Sequence, residues 1–234
     1  MIDFKECRHA SINERFFDSW NEESAYVLGY IYADGCIIVT RSINDYVKYF
    51  VLDIYSKDYD LINSVCSSMK CTYKLRNRQF NRCGKTYVGF SVSISNLYLC
   101  KRLISLGVVE RKSLIVEFPT FIPDEFMPDF IRGYFDGDGS VSVYPLKYAI
   151  ESSFTTGSRK FADGLLKFLC CIVGVKPRFR DFGDNKFELV YSNTGSRALF
   201  GYMYKCSGDI LFLKRKYARF VEGLHVEWKD YCIR

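Results

Sequence analysis

A ten-residue pattern occurs twice in this chain: YVLGYIYADG over Tyr26 to Gly35 and FIRGYFDGDG over Phe130 to Gly139. Each copy sets a Gly four residues before a small residue that is followed at once by Asp-Gly. In one copy these are Gly29, Ala33, Asp34 and Gly35, and in the other Gly133, Gly137, Asp138 and Gly139. The two Asp residues stand 104 residues apart, the length of one small α/β unit, and a duplicated unit constrains the fold more than any local propensity. A second marker keeps the register, because Arg111-Lys112 and Arg215-Lys216 each place their lysine 78 residues beyond the preceding Asp.

Hydrophobic periodicity assigns the same elements to each copy. A hairpin follows each Asp-Gly: CIIVT with YVKYFVLDIY, then SVSVY with YAIESSFTT. A helix comes next. Ser56 is the expected cap of the apolar stripe Leu61, Ile62, Val65 and Met69, and Ser158 that of Phe161, Leu165, Phe168, Leu169 and Ile172, which stops at Gly174. Two more strands (TYKLRNRQF and YVGFSVSIS; KPRFRDF and FELVYSN) lead to a last helix, over Leu97 to Leu106 before Gly107, and over Arg197 to Lys205. The expected class is α+β, with two pseudo-symmetric αββαββα repeats and antiparallel sheets. Residues 1–118 form the first repeat with a short N-terminal extension, 119–128 a linker carrying Pro119, Pro123 and Pro128, and 129–234 the second repeat.

The small residues Gly29 and Ala33, and Gly133 and Gly137, fall at i and i+4, so each helix has a flat strip on which another backbone can pack closely. Asp34 and Asp138 then stand at helix C-termini, where the macrodipole is already negative, and Gly35 and Gly139 suit a left-handed turn that ends a helix. If the strips pack together, two carboxylates arrive side by side, an unstable arrangement unless a cation fills it. All-oxygen ligation favours Mg²⁺, Ca²⁺ or Mn²⁺ over zinc. The reading that each Asp-Gly merely stops a helix is weakened by the second copy in register. A zinc site is set aside, since the ten cysteines form no CxxC and only His9 and His225 could join them. Those cysteines are expected to be reduced and buried.

Charge points to a polyanion. The net charge is +6, and from Leu61 to Val109 there is no Asp or Glu, while Lys70, Lys74, Arg76, Arg78, Arg82, Lys85, Lys101 and Arg102 fall inside. Alternation of Lys74, Arg76 and Arg78 puts them on one face of a strand, as in a phosphate-tracking ribbon. No apolar run approaches the ~20 residues of a membrane helix, and residues 1–20 mix charges throughout, so the expectation is a soluble, intracellular chain without a membrane role.

On VLGYIYADG (Val27 to Gly35) and IRGYFDGDG (Ile131 to Gly139), the sequence resembles the LAGLIDADG homing endonucleases of the single-chain, two-repeat type. Tyr32 departs from the consensus where Asp136 keeps it, at a position that is not the family's metal ligand. The resemblance implies a saddle over a long double-stranded DNA target, cut on both strands by metal-dependent phosphodiester hydrolysis, with Mg²⁺ as cofactor, Mn²⁺ as a substitute and Ca²⁺ supporting binding without efficient cleavage. It implies metal at Asp34 and Asp138 with Gly35 and Gly139 beside them, and basic active-site residues at Lys112 and Lys216, with Lys214 as rival to the latter. DNA contacts would come from Thr40, Lys48, Lys74, Arg76, Arg78, Arg82 and Lys85 in the first half, and from Ser140, Ser142, Lys147, Arg178 and Arg180 in the second. A monomer is implied, with intron RNA as a partner only if maturase activity exists. The alternative is a catalytically inactive nucleic-acid-binding protein of the same fold, an intron maturase or a transcription regulator. Because VEWKDYCIR lacks an intein's terminal His-Asn, an intron-encoded, free-standing enzyme is expected.

Overall fold

The computed structural model describes residues 10–41, 47–82, 84–110, 112–205 and 210–225, and for 47, 48, 80, 82 and 85 the backbone alone. The first repeat is α1 (Glu22–Asp34), β1 (Gly35–Arg41), β2 (Val47–Ser56), α2 (Tyr59–Ser68), β3 (Arg76–Arg82), β4 (Lys85–Ile94) and α3 (Leu97–Ser105). The second is α4 (Met127–Asp138), β5 (Gly139–Tyr144), β6 (Ala149–Thr156), α5 (Arg159–Val173), β7 (Arg178–Asp181), β8 (Phe187–Ser192) and α6 (Asn193–Met203). A further helix, α7 (Lys214–Leu224), follows; at the corresponding place after α3 the described residues hold a 3-10 turn over Lys112–Leu114 and no α-helix. Residues 119–128 hold a 3-10 turn over Asp124–Phe126 and the start of α4, where Pro128 stands in the first turn and its missing N–H costs nothing.

Both sheets are antiparallel and four-stranded, with spatial orders β1-β2-β4-β3 and β5-β6-β8-β7. The registers correspond, since Gly35 pairs with Ile54 in one sheet and Gly139 with Phe154 in the other. Alternation turns Ile37, Leu52, Ile54, Val92 and Ile94 inward, where α2 and α3 cover them with Ile62, Val65, Leu99 and Leu103. The second sheet is covered by α5 and α6 on β6 and β8 and by α7 on β5 and β6. Its core is aromatic, with Phe154, Phe135, Phe220 and Phe200 in successive ring contacts at 5.1 to 5.5 Å.

Two compact units result, and they do not follow the repeats: one comprises 1–19 and 34–110, the other 20–33 and 111–234. The helix that opens the first repeat is therefore grouped with the second. Its residues Ser24 to Tyr32 are all buried, as expected of a helix surrounded by core rather than lying on a surface.

Several local expectations are corrected. Ser56 ends β2 and accepts from the Asp58 N–H at 3.0 Å, while Asp58 takes the cap position of α2. Ser158 does cap α5, accepting from the Phe161 N–H at 3.3 Å, and Gly174 (φ 69°) and Gly107 (φ 89°) take the left-handed conformation expected at their helix ends. Gly35 and Gly139 do not: each is the first residue of a strand, and Gly139 has φ −90° and ψ 165°. At Gly139 the requirement is steric, because a Cβ would strike the Phe135 ring and carbonyl. Lys74 precedes β3 rather than lying in it. Of the cysteines, Cys66 and Cys100 are buried but Cys36 and Cys171 are exposed. Among the described residues no helix is long and apolar enough to cross a membrane.

Candidate active site

Close approach of α1 and α4 in the second unit comes from the two small-residue strips. A Cβ on Gly29 would sit on the backbone of Phe130 and Tyr134, and one on Gly133 on the backbone of Tyr26 and Tyr30. The obstructing atoms are main chain, which cannot rotate away, so only glycine fits at either position. Around this crossing Tyr32 packs edge-on against Phe130 at 5.2 Å, with Phe161 at 6.2 Å on its other side.

α4 then ends at Asp138, whose carboxyl lies among cationic partners. Burial raises it above the ordinary carboxylate range, while the ammonium groups of Lys112 and Lys216 and a hydrogen bond from Tyr134 draw it back down. Both lysines are themselves 5% exposed. Lys112, in a 3-10 turn over Lys112–Leu114, donates from Nζ to the carbonyl of Ala33 at 3.1 Å. Lys216, on α7, donates to the carbonyls of Phe135 at 2.7 Å, Asp136 at 2.8 Å and Gly137 at 3.2 Å. Ala33 and Gly137 hold the same place in the two motifs, so the 78-residue register corresponds to one contact made twice: a lysine on the last-turn carbonyls of a motif helix. The dipole of a helix C-terminus favours a cation there. Lys214, the rival on α7, is exposed.

Asp34 ends α1 and falls in the other compact unit, where its charge helps raise the Tyr55 hydroxyl, after burial and against the pull of Arg78. Among the described residues no group of three or more His, Cys, Asp or Glu comes together as a metal cage. A single carboxylate per motif suits a hard cation that keeps its waters and completes its shell with substrate phosphate oxygens, the habit of Mg²⁺. The oxygen donor at Asp138 is of the kind hard divalent cations take and is not a zinc set.

The predicted DNA contacts divide between the two sheets. In the first, Arg76 and Arg78 stand opposite Ser91 and Gly89 of β4 and so share a face. Arg78 donates to Asp53 of β2 at 3.0 Å, and the second oxygen of Asp53 accepts from Ser93 at 2.7 Å. Thr40 and Lys74 are exposed; the side chains of Lys48, Arg82 and Lys85 lie outside the described residues. In the second sheet Ser140 and Ser142 alternate outward along β5, and Lys147 is exposed in the turn that follows. Arg178 pairs with Glu151, and Arg180 with Glu188 at 3.2 Å.

Carboxylates therefore accompany Arg78, Arg178 and Arg180, which alternation of the basic residues could not reveal: Glu188 lies on the adjoining strand, whereas Asp53 and Glu151 lie one strand further away, across β4 and β8. Also beyond its reach is a buried network on α4. Arg132 donates to the carbonyls of Leu211 at 2.8 Å and Met203 at 2.7 Å and pairs with Asp129, and Asp136 accepts from the Tyr26 hydroxyl at 2.7 Å and the Leu213 N–H at 2.8 Å. The i,i+3 spacing of Asp129 and Arg132 is the one signal of it in the sequence.

Residues 125–200 match the family described as the LAGLIDADG-like domain. No curated protein matches the chain. Among solved structures it resembles the homing endonuclease I-WcaI bound to its DNA recognition sequence, with a TM-score of 0.59 and 13% identity over 94% of this chain and 98% of that one. It also resembles the LAGLIDADG meganuclease I-AabMI bound to uncleaved DNA, with a TM-score of 0.54 and 14% identity over 88% and 91% of the two chains.

Proposed function

Given a chain that has the fold of the LAGLIDADG homing endonucleases and carries a LAGLIDADG-like domain over residues 125–200, we propose that it is a site-specific endonuclease making a double-strand break in duplex DNA, acting as a single chain because both motifs lie within it. The observation that carries the reading is Asp138 flanked by two buried lysines, each of which also donates to the last-turn carbonyl at the corresponding place of a motif helix, Ala33 for Lys112 and Gly137 for Lys216. A half-buried carboxylate flanked by two buried ammonium groups is costly in a purely structural role, since desolvating an ion carries a penalty. Phosphoryl chemistry, which runs on positioning and electrostatic stabilisation, can use such an arrangement.

Asp138, and Asp34 at the equivalent end of α1, would hold divalent metal, which supplies Lewis-acid polarisation of the phosphate and a more acidic water. Lys112 and Lys216, held by carbonyls at the ends of the motif helices, would stabilise charge developing on the phosphate oxygens with little reorganisation. The exposed arginines, serines and Thr40 of the two sheets would meet the DNA, with arginine suited to guanine O6 and N7 in the major groove. The carboxylates beside Arg78, Arg178 and Arg180 orient those guanidinium groups and can themselves accept from cytosine N4.

The test is selection of cleaved sites from a randomised duplex library, followed by cleavage of the selected target. Cutting of both strands in Mg²⁺ or Mn²⁺, none in chelator, and binding with little cutting in Ca²⁺ is the expected result. Tight target binding without cutting in any metal would replace the enzyme by a nucleic-acid-binding protein of the same fold, and full cleavage in chelator would remove the metal from the mechanism.

A further inference from the structure

Asp136 precedes the proposed metal ligand by two residues, and its geometry gives it separate work. One carboxylate oxygen, buried with the rest of the side chain, accepts from Tyr26 Oη at 2.7 Å and from the main-chain N–H of Leu213 at 2.8 Å. Leu213 is the cap residue of α7, and Lys216 stands three residues further on. That lysine returns to α4, where the carbonyl of Asp136 itself is one of its three acceptors. The loop is thus closed through a single residue, whose side chain grips the start of α7 and whose main chain receives the ammonium group that α7 delivers. Arg132, one turn earlier on α4, holds the carbonyls of Met203 at the end of α6 and of Leu211, two residues before Leu213. In the first motif the equivalent place is taken by Tyr32, which turns an aromatic ring into the core and cannot present a carboxylate.

We infer that Asp136 is a positioning residue for Lys216, and that the half-site at Asp138 is held by a carboxylate latch which the half-site at Asp34 lacks. The inference rests on the endonuclease reading and adds an asymmetry to it: the two strands of one target depend on differently built lysine supports. Opening the latch should slow one strand and spare the other. A displacement of about 1 Å can cost ~100-fold in rate, so the effect is large enough to read strand by strand.

The experiment measures single-turnover cleavage of each labelled strand of the selected target at saturating protein, with the dependent strand defined as the one that Asp138→Asn leaves uncut. Asp136→Leu removes the acceptor while keeping the branched shape, with bulkier methyl groups in place of the oxygens, and Asp136→Asn keeps an acceptor for the Leu213 N–H. The expected result is that Asp136→Leu slows the dependent strand by at least tenfold relative to the other, with DNA affinity unchanged, and that Asp136→Asn restores the ratio. Should Asp136→Leu not fold, Leu213→Pro opens the same latch from the donor side, at a backbone φ of −84° that proline accepts, and the same strand bias is expected. Equal slowing of both strands with a lowered melting temperature overturns the inference, leaving Asp136 a purely structural residue. So does an unchanged rate on both strands in a folded variant. A wild-type protein that binds its target and cuts neither strand refutes the underlying endonuclease reading instead.

Discussion

Gly133→Ala tests the helix crossing by the sign of its effect. In a solvent-exposed helix this change is stabilising by about 1 kcal/mol, because alanine is the better helix former. In the packed crossing the new Cβ would meet the Tyr26 carbonyl group and, 3.0 Å away, the Tyr30 nitrogen, all main-chain atoms on a neighbouring helix. Neither can rotate aside, so the two helices must separate by roughly 1 Å, and gaps of that size already forfeit a quarter to a half of each dispersion contact along the seam. Overpacking of this kind costs ~1–3 kcal/mol, occasionally more. Taking ~3 kcal/mol against the propensity gain of ~1 leaves a net loss of about 2 kcal/mol, a fall in Tm of about 4–8 °C for a protein of this size. Gly29→Ala should behave alike, since its Cβ would meet the Phe130 and Tyr134 main chain. Thermal melting by calorimetry decides the matter. A rise in Tm of ~2–4 °C in either variant would show that helix propensity acts unopposed and that the strips do not pack.

Asp138→Asn or Asp34→Asn should abolish double-strand cleavage while leaving DNA affinity intact. For Asp138 the Tm should be unchanged or higher, because burial already disfavours the charged carboxylate; a variant that still cuts both strands at the wild-type rate removes that residue from the site. Lys216→Met keeps the packed stem but strips three carbonyls of a charged donor, which should cost ~1.5–3 kcal/mol in a denaturant titration. Lys214→Met, at an exposed position, should cost nothing measurable. On the DNA side, Arg76→Ala or Arg78→Ala should relax discrimination at one or two base pairs by ~1–3 kcal/mol, whereas Arg82→Ala or Lys85→Ala should weaken all sequences alike and reduce the salt slope by about 0.9. Affinities for the target and its single-base variants at several salt concentrations separate these outcomes, and no change in either quantity would place the basic window away from DNA.

The order of elements from α1 to α6, the strand count, the helix ends at Asp34 and Asp138 and the equivalence of Lys112 and Lys216 were legible in one dimension, because they are carried by periodicity and by spacing within a duplicated chain, whereas α7, the helix that carries Lys216, was not expected. The caps at Ser158 and Gly174 were legible for a related reason, as local hydrogen bonding or backbone conformation determines them. What only the tertiary structure decided are contacts between residues some 80 to 110 positions apart. Asp136 reaches Tyr26 and Leu213, and Lys216 reaches the end of α4 rather than solvent. The grouping of α1 with the second unit is of the same kind, since a strip of small residues specifies that some backbone approaches closely but not which one. Likewise the partners of Arg178 and Arg180 are set by the β5-β6-β8-β7 order, which puts Glu188 on the strand beside β7 and Glu151 one strand beyond it, within reach of a long arginine side chain. Spacing along the chain encodes what each element is; which side chains meet is settled only when the sheets and helices pack and exclude every other arrangement.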